Sequence, residues 1–189
     1  MSIGNSKGMI FLTGPSGIGK SHIARLLSQT GQFGEVLSTM TRTPRAGEID
    51  GVTGHFVTAQ CYGQMDQAGE LLTNKDILGE KYAFTRASLM KVLSQKRRPV
   101  VTVFASTVGE FLGVFPKAKT ILLQPASEDI LLTNMRRRGD DMDMIASRMQ
   151  SARKELACMA KLRDKIRCSV FTITDDTDAA KIVQTLTQQ

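Results

Sequence analysis

Eight consecutive residues, Gly14-Pro15-Ser16-Gly17-Ile18-Gly19-Lys20-Ser21, place three glycines, a lysine and a hydroxyl where they could bind phosphate. They satisfy G-x-x-x-x-G-K-[ST] at every position, the pattern of a loop that cradles a nucleoside triphosphate. The glycines let backbone N–H groups converge on phosphate oxygens, and a helix starting there adds its positive end. Lys20 then reaches the β- and γ-phosphates, and the Ser21 hydroxyl sits on Mg²⁺. Met9 to Leu12 reads as a buried strand before the loop, and Ile23, Leu26 and Leu27 recur at helical spacing after it. That strand, loop and helix are the context the pattern requires.

A second group of residues suits a second phosphate. Arg42 and Arg45 lie three apart in a turn held by Pro44 and Gly47. Two guanidinium groups so placed form a compact fork for a dianion. Arg136 to Arg138, followed by Gly139, make another arginine cluster.

The elements that position these groups alternate. Glu35 to Ser38 reads as a short strand after a break at Gly31 to Gly34, and His55 to Val57 as another. Ala59 to Ala68 reads as a helix, the stretches around Ile77-Leu78 and Tyr82 to Phe84 as a hairpin, and Thr85 to Ser94 as a helix. Pro99 to Phe104, Thr120 to Leu123 and Val170 to Ile173 read as core strands. Helices are expected around Phe111 to Val114, from Ser127 through Met135, through Ile145, Met149, Ala152, Leu156 and Met159, and from Ala179 to Leu186. Strands alternating with helices predict an α/β fold whose parallel sheet is covered on both faces, with ligands at the carboxyl ends of the strands.

A chain of 189 residues, 41% apolar and 23% charged, fits one soluble domain with a real core. No apolar stretch is long enough to span a membrane, and the leading residues lack the apolar region of a secretory signal. Cys61, Cys158 and Cys168 are widely spaced, so reduced, buried thiols in a cytoplasmic protein are expected. His22 reads as a helix-face residue, and Met142, Met144, Met149 and Met159 as packing. A net charge of +7 attracts polyanions, but aromatics are only 5% and no basic run alternates with them, which argues against nucleic acid as the main partner.

With these residues in view, the chain resembles guanylate kinases over almost its full length. The resemblance rests on the glycine loop, on Ser-x-x-Thr-Arg-x-Pro-Arg-x-Gly-Glu from Ser38 to Glu48, on Ala68-Gly69-Glu70, on Phe115-Pro116, on Arg138-Gly139 and on Arg148. It implies a P-loop NTPase core, a small, mostly β lobe for the nucleoside monophosphate, and a helical lid. The implied divisions are core 1–34, 88–132 and 160–189, lobe about 35–87 and lid about 133–159. It implies transfer of the γ-phosphoryl of ATP to GMP with Mg²⁺. Arg42, Arg45 and Tyr82 would hold the acceptor phosphate, Ser38 would touch the guanine carbonyl, and Arg138 and Arg148 would close on the transferred group. Asp175-Asp176, at a strand end, would pass the donor adenine.

The departures from the family lie mostly on the acceptor side. Thr73 stands where a glutamate would read guanine, and Phe84 where a small hydroxyl residue would help. Thr102 and Phe104 replace a strand-end Asp-x-Asp, Gly54 a second phosphate-holding tyrosine, and Asn134 a lid arginine, for which Arg136 or Arg137 could substitute. The lid is one residue short. A different acceptor, such as ribose 1,5-bisphosphate, and a binding-only module are the alternatives, and the intact Lys20 and Ser21 favour catalysis over binding alone.

Overall fold

The computed structural model describes residues 8–45, 47–77 and 79–188. Ala46 of the expected acceptor turn, Leu78 of the expected hairpin and the leading residues 1–7 lie outside that range. In chain order the elements are β1 (Ile10–Thr13), α1 (Lys20–Gln29), β2 (Phe33–Glu35), β3 (Ser38–Met40), β4 (His55–Phe56), α2 (Ala59–Gln67), β5 (Lys75–Ile77), β6 (Glu80–Phe84) and α3 (Arg86–Ser94). There follow β7 (Arg98–Thr102), a 3₁₀ turn (Ala105–Thr107), α4 (Val108–Val114), β8 (Lys119–Pro125), α5 (Glu128–Arg137), α6 (Met142–Arg163), β9 (Cys168–Ile173) and α7 (Asp178–Thr187).

Five strands form a parallel sheet in the order β2-β7-β1-β8-β9. Every residue of the central strand β1 is buried, as a strand covered on both faces requires. Alternation along β1 divides the core. Ile10 and Leu12 join Leu27, Leu131, Met149 and Ile182 on one face, whereas Met9 and Phe11 join Leu89, Val92, Phe111 and Phe115 on the other. A second sheet, ordered β4-β3-β6-β5, is mostly antiparallel and stands beside the first.

The structure corrects the strand expected at 35–38. The chain forms two strands there, in different sheets: β2 pairs with β7 and β3 with β6. Gly34, read as a break, lies inside β2, where a Cβ would come within 2.7 Å of Val92 on α3. Phe33 is buried beneath the Arg98 guanidinium, 4.4 Å from the ring centroid. A lone aromatic between glycines carries no alternation to reveal such a strand. The strand expected at 99–104 ends at Thr102, and Phe104 turns out to meet the Tyr82 ring edge-on at 5.8 Å.

Other expectations fare unevenly. Met149 and Met159 are buried, but Met142 and Met144 are exposed at the start of α6. Cys61 is exposed and the other two cysteines are half-buried, all three free. His22 is exposed on α1, beside Arg25. Among the described residues no helix is long and apolar enough to cross a membrane.

Phe111 ties the second core cluster together. Its ring meets Phe11 at 5.5 Å and Phe84 at 5.7 Å, both edge-on. Phe111→Ala is expected to cost about 3–5 kcal/mol, measured by urea unfolding, since it removes two aromatic contacts and leaves a cavity.

Candidate active site

The glycine loop leaves β1 at Thr13 and enters α1 at Lys20. Gly17 (φ 86°) and Gly19 (φ 95°) adopt left-handed backbone that favours glycine, and at Gly17 a Cβ would also lie 3.1 Å from the Leu131 carbonyl oxygen. α1 has no capping side chain and no acidic residue in its first turn. By contrast α2, α3 and α6 are capped by Thr58, Thr85 and Asp141, and α4, α5 and α7, which also lack a capping side chain, carry acids in their first turns. The opening N–H groups of α1 are therefore left for an anion. Lys20 Nζ donates to the carbonyl oxygens of Gly14 and Pro15, the latter at 3.0 Å. Desolvation draws the lysine down to about 8, opposed by the Glu155 carboxylate and assisted by Arg45 and Arg138.

Across from the loop, Arg42 is held by Glu48 through two hydrogen bonds, Nη1 to Oε2 at 2.6 Å and Nη2 to Oε1 at 2.8 Å. The Arg45 backbone N–H donates to the same carboxylate at 2.7 Å. The Arg42 side chain also lies over Phe56, and its buried Nε has no hydrogen-bond partner. Tyr82, on β6, places its hydroxyl against the same guanidinium. Arg45 lines the same cavity as the loop, its acidity raised first by partial desolvation and then by the cations Arg42 and Arg148.

A third group comes from the α5–α6 corner. Arg138 Nη2 donates to Asp140 Oδ2 at 2.8 Å, and Arg148 Nη1 donates to the same oxygen. The two arginines hold this carboxyl below its usual range, although burial alone would raise it. A cavity of about 1270 Å³ is lined by residues of the loop, by Ser38, Arg42, Arg45 and Tyr82, and by Arg138 and Arg148. Every candidate residue from the sequence lines it except Pro15, which contributes its carbonyl to Lys20. The volume lies above the roughly 300–1,000 Å³ typical of small-molecule sites.

The guanylate kinase family model matches residues 6–180. The chain belongs to the guanylate kinase family. It is 35% identical to a guanylate kinase of Corynebacterium glutamicum over 176 residues, which cover 91% of this chain and 90% of that one. It is 29% identical to a guanylate kinase of a Nostoc species over 174 residues, 91% of this chain and 84% of the relative. The crystal structure of a guanylate kinase from Anaplasma phagocytophilum superposes with a TM-score of 0.71 at 21% identity, covering 95% of this chain and 84% of that one, which supports the fold.

Within this family fold the divergent positions have taken other work. Thr73 Oγ1 accepts the Phe84 N–H at 3.1 Å, and the Phe84 side chain is buried in the core cluster that holds Phe111. At Gly54 a Cβ would lie 2.7 Å from Met40 Cε, so a tyrosine there would need Met40 to move. Thr102 and Phe104 do line the cavity. Asn134, in place of an arginine, donates from Nδ2 to the Gly17 carbonyl oxygen at 2.8 Å and pins the glycine loop. Of the two arginines expected as substitutes, Arg136 and Arg137, only Arg137 lines the cavity, where it pairs with Asp176.

Several functional contacts escaped the sequence reading. Glu48 was visible in its motif but not as the partner of Arg42. Asn134 and Glu155 act across 117 and 142 positions, on Gly17 and Thr13, where no local pattern operates. Glu35 lines the cavity, and desolvation pushes it up to about 7 against the pull of Arg25. Because its folded pKa lies above the unfolded value, the folded state binds more protons between about 4.5 and 7, and stability falls as pH rises through that window. Glu35→Gln is therefore expected to leave stability unchanged below pH 4 and to raise it progressively up to about pH 7, with a plateau above. Thermal unfolding of both proteins across pH 4–8 checks this.

Proposed function

We propose that this protein is an ATP-dependent phosphotransferase that moves the γ-phosphoryl of ATP to a nucleoside monophosphate, with GMP and dGMP as the preferred acceptors. The observation that carries the reading is the single cavity in which the uncapped start of α1 and Lys20 face the Arg42–Arg45 fork. Family membership adds the precedent of relatives named guanylate kinases. The corresponding division of labour is a core of 1–34, 88–132 and 160–189, an acceptor lobe of about 35–87 and a lid of about 133–159.

The chemistry needs positioning and charge neutralisation, with no covalent participation by the protein. Backbone N–H groups from Ser16 to Lys20 hold the donor phosphates, and Lys20 exchanges its two carbonyl partners for phosphate oxygens. Arg42, Arg45 and Tyr82 hold the acceptor phosphate, and the unpartnered Arg42 Nε finds an acceptor when the side chain turns toward it. Arg138 and Arg148 exchange Asp140 for the transferred group. The nucleophile is already a phosphate oxygen, so no general base is required.

The donor set also fits Mg²⁺. Among the described residues no cluster of three metal-ligating side chains exists, but Ser21 is exposed on the cavity wall. Mg²⁺ with a nucleotide keeps several waters and takes few protein ligands. Ser21 would hold it, and it would supply charge neutralisation between the β- and γ-phosphates.

Base selection is the weakest part of the acceptor site. Thr73 and Phe84 are committed to the core, and around Tyr82 the cavity is lined by Met40, Ile77, Phe104, Ser38 and Thr102, with two carboxylates, Glu35 and Glu80, the second of which already accepts the Thr41 hydroxyl. A site that reads a base through buried polar partners discriminates by about 10⁴–10⁵, and a site of methyls, rings and hydroxyls by about 10². In a coupled ADP-release assay with GMP, dGMP, AMP, CMP, UMP and ribose 1,5-bisphosphate, GMP is expected to lead the other bases by about 10²-fold in kcat/KM. A better acceptor than GMP would overturn the assignment. ATP binding without turnover on any acceptor would favour a binding module.

Side-chain deletions separate the two halves of the site. Lys20→Ala is expected to lower kcat by about 10²–10³. Arg42→Ala is expected to raise the acceptor KM about tenfold and lower kcat, with ATP affinity unchanged, since it removes charge-assisted bonds to one substrate only. Steady-state kinetics in each substrate, with calorimetric titration of ATP, check both.

A further inference from the structure

The strand end that lacks carboxylates at Thr102 and Phe104 receives one from a different element. Glu155, on α6, accepts the Ala105 N–H at 2.6 Å and the Thr13 hydroxyl at 3.2 Å, both through Oε1. These two contacts join α6 to the chain just after β7 and to the end of β1. Thr13 is fully buried and immediately precedes the glycine loop. Glu155 also lines the large cavity and is the acidic group that acts on Lys20.

Glu155 and Arg148 are seven residues apart on one helix, two turns, and so share a face. Arg148 reaches the cavity from the same side. Where α6 lies against the sheet therefore sets where the Arg148 guanidinium arrives. Ile145, Met149, Ala152 and Met159 already supply the apolar packing of this helix. Burial pushes the Glu155 carboxyl above its usual range despite the bonds that favour its charge. A half-buried carboxylate is a poor device for stability alone.

We propose that Glu155 is a positioning residue for phosphoryl transfer, whose carboxylate pins α6 to the ends of β1 and β7 and thereby fixes where Arg148 meets the transferred group. The proposal rests on the phosphotransferase reading above. It differs from a general structural role because the effect must pass through Arg148.

The test is a double-mutant cycle on the full chain with ATP, Mg²⁺ and GMP. Glu155→Ala is expected to lower kcat about 30-fold, the worth of a charge-assisted hydrogen bond of ~2 kcal/mol, with the acceptor KM within about twofold of the wild type. Glu155→Gln keeps an oxygen that accepts both bonds, and is expected to stay within about threefold of the wild-type kcat. In an Arg148→Ala background, Glu155→Ala is expected to cost less than about twofold. Hydrogen exchange in residues 144–156 is expected to quicken in Glu155→Ala and not in Glu155→Gln. An unchanged kcat in Glu155→Ala, an equal loss in Glu155→Gln, or a 30-fold loss that persists without Arg148 would each overturn the proposal. Should Glu155→Ala fail to fold, Glu155→Asp, one methylene short of Ala105, takes its place. Absence of turnover in the wild type would refute the phosphotransferase reading, and the exchange measurement would still decide whether Glu155 anchors α6.

Discussion

Lys20 brings a positive charge to the end of the central strand, where it has lost much of its water, and the surrounding structure is arranged to make that tolerable. Its ammonium donates to two loop carbonyls, which the glycine backbone turns inward, and the field of the Glu155 carboxylate on α6 favours its charge. The nearby cations Arg45 and Arg138 work against it. A site for two phosphorylated ligands must gather such cations before any ligand arrives, and like charges gathered in a partly dry cleft repel. The solution here is a carboxylate for most of them. Arg42 has Glu48, Arg138 and Arg148 share Asp140, and Arg137 has Asp176. Each acid neutralises a cation and fixes its direction, so the cavity is built before substrate fills it.

Those acids also show what a sequence can and cannot display. The glycine loop was readable because its function lies in eight adjacent residues and its backbone needs glycine at fixed offsets. The Arg42–Arg45 fork was readable for the same reason, and so was Arg148, through family resemblance. The alternation of strands and helices gave the parallel sheet, since each element carries its own hydrophobic period. Glu155 and Asn134 were not readable. Each makes its contact across more than a hundred residues, on a helix whose polar positions look like ordinary solvated ones. β2 was missed because a strand of Phe33, Gly34 and Glu35 has too few residues to show a period. What holds it is lateral: Arg98 over the Phe33 ring and Val92 against the Gly34 backbone.

The acceptor wall follows from packing more than from charge. Phe84 directs its ring to Phe111 and away from the cavity, and this commits the end of β6 to the core. Thr73 then uses its hydroxyl on the Phe84 N–H, which a glutamate there would leave free while reaching outward to a base. Thr73, in the loop before β5, and Phe84, at the end of β6, are thus tied to each other and to the core. Phe104 extends the same logic across the cleft by meeting Tyr82 edge-on, which places a ring where a carboxylate would stand. Tyr82 is the point at which the two demands meet. Its hydroxyl acts on Arg42, and its ring is steadied by Phe104. The two sides of the cleft are therefore built by different means. The Arg42–Glu48 pair is formed by residues six apart in one segment, whereas the aromatic wall depends on side chains that the end of β6 and the residues after β7 bring together, Phe84 turning to the core and Phe104 to Tyr82.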